Sequence, residues 1–133
     1  MSEANVELAR RGWEAAARGD LDLVASMLDP DVKWHGGEPD DESACHNRSQ
    51  ALRWMEIARA HRPLPELVDV RDAGDKVVLV LRPRPAVPND AAAKDATVPS
   101  LSANVSTFRG GKVVEMVHFD RAEDALRAVG LEP

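Results

Sequence analysis

The chain has 133 residues, 44% of them hydrophobic, so it can bury a sizeable core as one domain over 1–133 without metal or disulfide staples. Its formal charge of -6 and lack of a Lys/Arg cluster argue against nucleic acid as a partner, because phosphate-backbone binding begins with a concentrated basic surface. Cys45 stands alone, the opening MSEANVELARR has no signal-peptide core, and no apolar run nears the roughly 20 residues of a membrane span. The expectation is a cytoplasmic chain with no membrane partner.

Asn5 is a candidate N-cap for a first helix in which Val6, Ala9, Trp13, Ala16 and Ala17 recur at helical spacing before Gly19 stops it. Asp20 caps a shorter second helix carrying Leu21, Val24 and Leu28, which ends by Asp29-Pro30. Val32 to His35 reads as a short strand, and Glu38 to Ser43 as a polar loop. Asn47 with Gln50 makes a capping-box-like start to a third helix from Arg48 to about Ala60, closed by Pro63 and Pro65. Two strands follow, Leu67 to Asp72 and Lys76 to Arg82, around Ala73-Gly74-Asp75; the second is apolar on both faces and so predicts a covered strand. From Pro83 to Pro99 the chain is rich in proline and alanine without strand periodicity, which fits either a flexible loop near one end of the sheet or a tolerated surface insertion.

Leu101 to Asp120 is the best-specified stretch. Gly110-Gly111 supplies the positive φ angles of a two-residue hairpin turn between two alternating segments. That turn places Phe108 opposite Val113, Thr107 opposite Val114, Val105 opposite Met116 and Ala103 opposite His118. One face then holds Ala103, Val105, Thr107, Val114, Met116, His118 and Asp120, an apolar stripe ending in an imidazole and a carboxylate; the other holds Ser106, Phe108, Val113, Glu115, Val117 and Phe119. The first is the expected pocket face, and the second, with Glu115 as a pocket acid, is the alternative. Asp120 can also cap a last helix from Arg121 to Val129 that ends at Gly130.

The segments VELARRGWEAAARGDLDLVASMLDPDVKWHG, CHNRSQALRWM and FRGGKVVEMVHFDRAEDAL, in that order, resemble the nuclear transport factor 2-like superfamily and its SnoaL-like branch across nearly the whole chain. The marks are the Gly19-Asp20 break, the Asp31-Val32-x-Trp34 strand entry and the Gly-Lys-Val turn leading to Phe119-Asp120. The resemblance implies an α+β cystatin-like cone, a curved antiparallel sheet around N-terminal helices with a pocket at its wide end, and a homodimer through the outer sheet face. Members include ketosteroid isomerases, polyketide cyclases, limonene epoxide hydrolases, scytalone dehydratases and non-catalytic binding domains, so the fold does not fix a reaction.

The residues discriminate among these chemistries. The chain has no tyrosine, which removes the usual oxyanion donor of ketosteroid-isomerase-like sites and the tyrosines of scytalone-dehydratase-like ones. An epoxide-hydrolase-like Asp-Arg-Asp network finds Arg82 and Asp120 but no second buried Asp, since Asp69 and Asp72 lie in or beside a turn. A cyclase-like site asks for one acid or base in an apolar pocket, and His118 with Asp120 two residues on could serve as a base and its orienting carboxylate. The opposing reading is that Asp120 caps the last helix while His118 packs or sits at a rim. Trp34 and Trp54, with Trp13 beside them, are candidate ligand walls; Met116 and Arg48 complete the expected binding set, Arg48 at the pocket mouth unless it is merely solvated or paired. Cys45 and His46 are adjacent and make poor metal geometry with His35, so no metal and no cofactor is expected. Two readings stand: a domain that binds a small hydrophobic molecule without catalysis, and an isomerase, cyclase or hydrolase of a polyketide, terpenoid or steroid-like compound using His118 and Asp120.

Overall fold

The corner between the first two helices is set by Gly19 and Asp20. Gly19 has φ +83°, the left-handed conformation that ends helix α1 (Ser2–Arg18), and Asp20 accepts the amide of Leu23 at 3.2 Å to cap α2 (Leu21–Met27). In the computed structural model, which describes residues 2–38, 40–42, 44–61, 63–83 and 101–132, four helices pack with a curved, open five-stranded sheet. The strands are β1 (Leu28–His35), β2 (Glu66–Ala73), β3 (Lys76–Arg82), β4 (Ser102–Arg109) and β5 (Lys112–Phe119); α3 (Arg48–His61) follows β1, and α4 (Ala122–Ala128) closes the chain.

The α+β reading holds, with three local corrections. Helix α1 starts at Ser2, so Asn5 lies inside it and does not cap it. Strand β1 starts at Leu28, directly after α2, with Asp29-Pro30 inside the strand; its pairing skips from Leu28 to Lys33 there, because proline has no amide to give a ladder. The sheet is mixed, in the order β1-β5-β4-β3-β2, with β1 parallel to β5 and every other pair antiparallel. Parallel pairing needs a long crossover, and α3 with β2 to β4 lies between the two strands in sequence. The 83–99 connection lies, beyond Pro83, outside the described residues.

The hairpin turn forms as the double glycine predicts, with φ +58° and +78°, and Phe108 faces Val113. The rest of the expected register is displaced by one residue. A bulge at Val114-Glu115 pairs Thr107 with Glu115, Ser106 with Met116, Asn104 with His118 and Ala103 with Phe119. The extra residue lets Val113 and Met116, three apart, both turn into the core. It also splices the two expected faces: Asn104, Ser106, Val113, Met116 and His118 share one side, whereas Ala103, Val105 and Phe119 share the other.

These sides bound two cores. The inner core joins Ala9, Ala16, Val24, Ala51 and Met55 of the helices to Leu79, Leu81 and Met116 of the sheet. The outer core seals Val78, Val80, Ala103 and Val105 beneath Ala122, Ala125 and Leu126 of α4. Strand β3 is covered on both faces, as its apolar run predicts. Helix α4 has Arg121 in the N-cap position with no side-chain cap hydrogen bond, so Asp120 is not its cap.

Candidate functional site

Helix α3 begins where the sequence places it. The Asn47 side chain accepts the Gln50 amide at 2.9 Å, and Gln50 reaches back to accept the His46 amide at 2.7 Å. Just before it, Cys45 and Trp34 exchange backbone hydrogen bonds of 2.8 and 3.0 Å, which tie the loop after β1 to that strand. These two contacts bring Trp34 and Trp54 edge to face, with ring centres 4.8 Å apart and planes at 65°. Trp13 of α1 donates its indole N–H to the Pro65 carbonyl at 3.1 Å, which fixes the segment entering β2 against the helix.

The three tryptophans are walls of a cavity of about 500 Å³. Cys45, Met55, Leu81, Asn104 and His118 also line it. The lining is largely apolar with a few convergent polar groups, the composition expected of a small-molecule cleft. Trp54 is 49% exposed and marks the mouth. Arg48 is absent from the described lining, and Met116 lines a smaller adjoining space rather than the main one. The tryptophans and His118 therefore come together, Met116 lies one layer deeper, and Arg48 stands apart.

His118 projects inward from β5 because the bulge puts it on the face of Asn104. Its Nδ1 lies 2.8 Å from Asn104 Oδ1, an oxygen that can only accept, so Nδ1 carries the proton and donates. Nε2 lies 3.3 Å from Asp120 Oδ1. The His118 side chain is 43% exposed and that of Asp120 98%, so the carboxylate meets the imidazole at the rim with water on its other sides.

Glu115 does not line this cavity. It follows the bulge on the outward side and accepts from His35 Nε2–H at 2.9 Å, while His35 Nδ1 accepts the Gly37 amide at 3.0 Å. The two bonds hold the His35 ring at the seam of β1 and β5. Burial pushes the Cys45 thiol above its ordinary range, the opposite of what a nucleophilic cysteine needs. Arg82 pairs with Glu66 at 3.1 Å, both about half exposed. Among the described residues no group of three or more His, Cys, Asp or Glu side chains is placed to hold a metal ion.

Asn104 and Ser106 are the residues that the sequence reading missed. They alternate with Ala103 and Val105 in β4, and the hydrophobic alternation assigns the polar set to the outside. Both are instead almost wholly buried on the cavity side. The available signal was spacing: Val113 and Met116 cannot both be core residues in an unbroken strand, and a bulge between them inverts the assignment.

Comparisons with known proteins place this geometry. Crystal structures of similar architecture include an uncharacterised cystatin-fold protein from Novosphingobium aromaticivorans, at TM-score 0.67 and 20% identity over 90% of this chain and 98% of that one. An NTF2-like protein of unknown function from Mesorhizobium loti gives 0.67 and 19% over 89% and 91%. A candidate polyketide cyclase from Sinorhizobium meliloti gives 0.66 and 16% over 84% and 93%. At these identities the likeness is one of fold. No curated protein matches the sequence. The model of the SnoaL-like domain matches residues 9–116, most of the chain from α1 to Met116 of β5, and the protein belongs to that family.

Proposed function

We propose that the protein binds a small, largely apolar molecule in the cavity between α1, α3 and the inner face of the sheet. The observation that carries this reading is a space of about 500 Å³ walled by Trp13, Trp34, Trp54 and Leu81, with His35, Asn104 and His118 as its polar points. Flat aromatic walls suit a ring system, and the polar points fix its orientation. No helix among the described residues is long and apolar enough to cross a membrane, and a cytoplasmic location with a second copy of the chain on the outer sheet face completes the proposal. Helix α4 already packs across β3, β4 and β5 of that face, so the second copy would sit beside it; sedimentation equilibrium giving a monomer mass would remove this part.

A thermal-shift screen of hydrophobic ring compounds tests the binding reading. A ligand present at 100 times its Kd raises stability by about 2.7 kcal/mol through mass action, and absence of any shift across the screen counts against the pocket. The same screen with His118→Ala reads the contribution of the imidazole to binding.

The second reading is an isomerase, cyclase or hydrolase in which His118 is the acid or base and Asp120 its partner. It is supported by the 3.3 Å approach of the two side chains at the cavity wall. The exposure of Asp120 weighs against it, because a carboxylate in water is poorly placed to bias a proton transfer inside the cavity. Turnover of a bound compound that disappears in His118→Ala, with binding retained, would favour this reading.

A further inference from the structure

Behind the main cavity lies a recess of about 50 Å³ lined by Met27, Leu28, Leu79, Ser106, Val113 and Met116. The two spaces share Trp13, Ala16, Trp34, Met55 and Asn104 as walls, so Asn104 stands where the larger gives way to the smaller. Asn104 is 4% exposed and Ser106 3%. The Asn104 carbonyl is taken by His118, but its NH2 group has no hydrogen-bond partner among the described residues, and neither has the Ser106 hydroxyl. Asn104 and Ser106 both line the recess, and Asn104 lines the main cavity as well.

We propose that Asn104 and Ser106 form a polar waist between two apolar chambers. It is built for a neutral ligand whose hydrogen-bond-accepting oxygen is flanked by a ring on one side and a short apolar group on the other. This rests on the pocket reading above and specifies its ligand. Buried donors with no partner disfavour an all-hydrocarbon occupant, which would leave them unpaired. The lining contains no Lys or Arg among the described residues, so an anion would find no fixed counter-charge there. The recess is small, with room for on the order of one to three carbons by comparison with cavities that admit benzene.

Tryptophan fluorescence titrations of the full chain test this, because three tryptophans wall the cavity. The probes are phenyl alkyl ketones from acetophenone to valerophenone, each paired with the alkylbenzene of equal carbon number. The expected result is a ketone-to-hydrocarbon affinity ratio roughly 2- to 10-fold higher in wild type than in Asn104→Leu, the worth of one hydrogen bond. Affinity should rise as the alkyl group fills the recess and fall once it outgrows it. Circular dichroism checks that Asn104→Leu is folded; if it is not, Ser106→Ala must show the same fall in ratio. An unchanged ratio in the folded variant, or affinity that climbs steadily through valerophenone, overturns the waist and leaves the pocket reading standing. Failure of both probe series to bind wild type overturns the two together.

Discussion

On β4, Ala103 and Val105 turn outward into a dry seam beneath α4, while Asn104 and Ser106, their neighbours in sequence, turn inward to a cavity. All four are more than nine-tenths buried, so burial does not distinguish the two sides. Space does. The outer seam is closed by Ala122, Ala125 and Leu126, leaving a polar group nothing to bond; the inner face is held off the helices by the rings of Trp13 and Trp34. Polar residues at buried positions are tolerated on the side where there is a void to receive a ligand's partner atoms.

The sharpest way to break this contrast is to exchange chemistry between the faces. Val105→Asn should cost about 3–5 kcal/mol, from the lost apolar burial plus an amide with no partner, whereas Asn104→Leu should stay within about 1 kcal/mol of wild type. Urea unfolding of the two variants measures this, and equal losses would end the distinction between a dry and an open face. Next in size is the joint that holds the cavity's helices together. Arg59 of α3 donates its Nε–H to the Ala17 carbonyl at 3.2 Å, and a Cβ on Gly19 would come within 2.8 Å of that guanidinium as well as forcing φ +83° on an alanine. Gly19→Ala should therefore lose about 1–2 kcal/mol by the same measurement.

Trp54→Ala should cost about 1–2 kcal/mol, less than a buried tryptophan, because the ring is half exposed and its best contact is the edge of Trp34. It should weaken cavity binding more than it weakens the fold. Cys45 offers a readout in pH. Its thiol is raised in the folded state by burial, so alkylation by iodoacetamide at pH 8 should be much slower than in urea-unfolded protein. Because the unfolded thiol ionises first, stability falls as pH rises from the unfolded thiol's pKa through the folded one, and is unaffected by this group below that window. The smallest effect belongs to the surface of α4. Glu123 meets Arg127 at 3.7 Å in solvent, and Glu123→Gln should change stability by less than about 0.5 kcal/mol even though the dry seam lies directly beneath it.

Local chemistry in the sequence determined every element of the described fold and most of their ends. Gly19-Asp20, Asn47 with Gln50 and Gly110-Gly111 each settle their own corner through contacts a few residues apart, and those corners form as expected. The tryptophan walls follow from the helical spacing of Trp13 and Trp54 on α1 and α3. What alternation could not reveal is the bulge at Val114, since that is decided by β1 and β4 competing for the same strand and by Val113 and Met116 both finding room in the core. A one-residue slip exchanges the faces of a strand, and so tertiary packing, not alternation, chose Asn104 and Ser106 for the cavity and turned His118 toward Asn104. The same displacement carried Glu115 away to His35, and only the packed sheet could decide that.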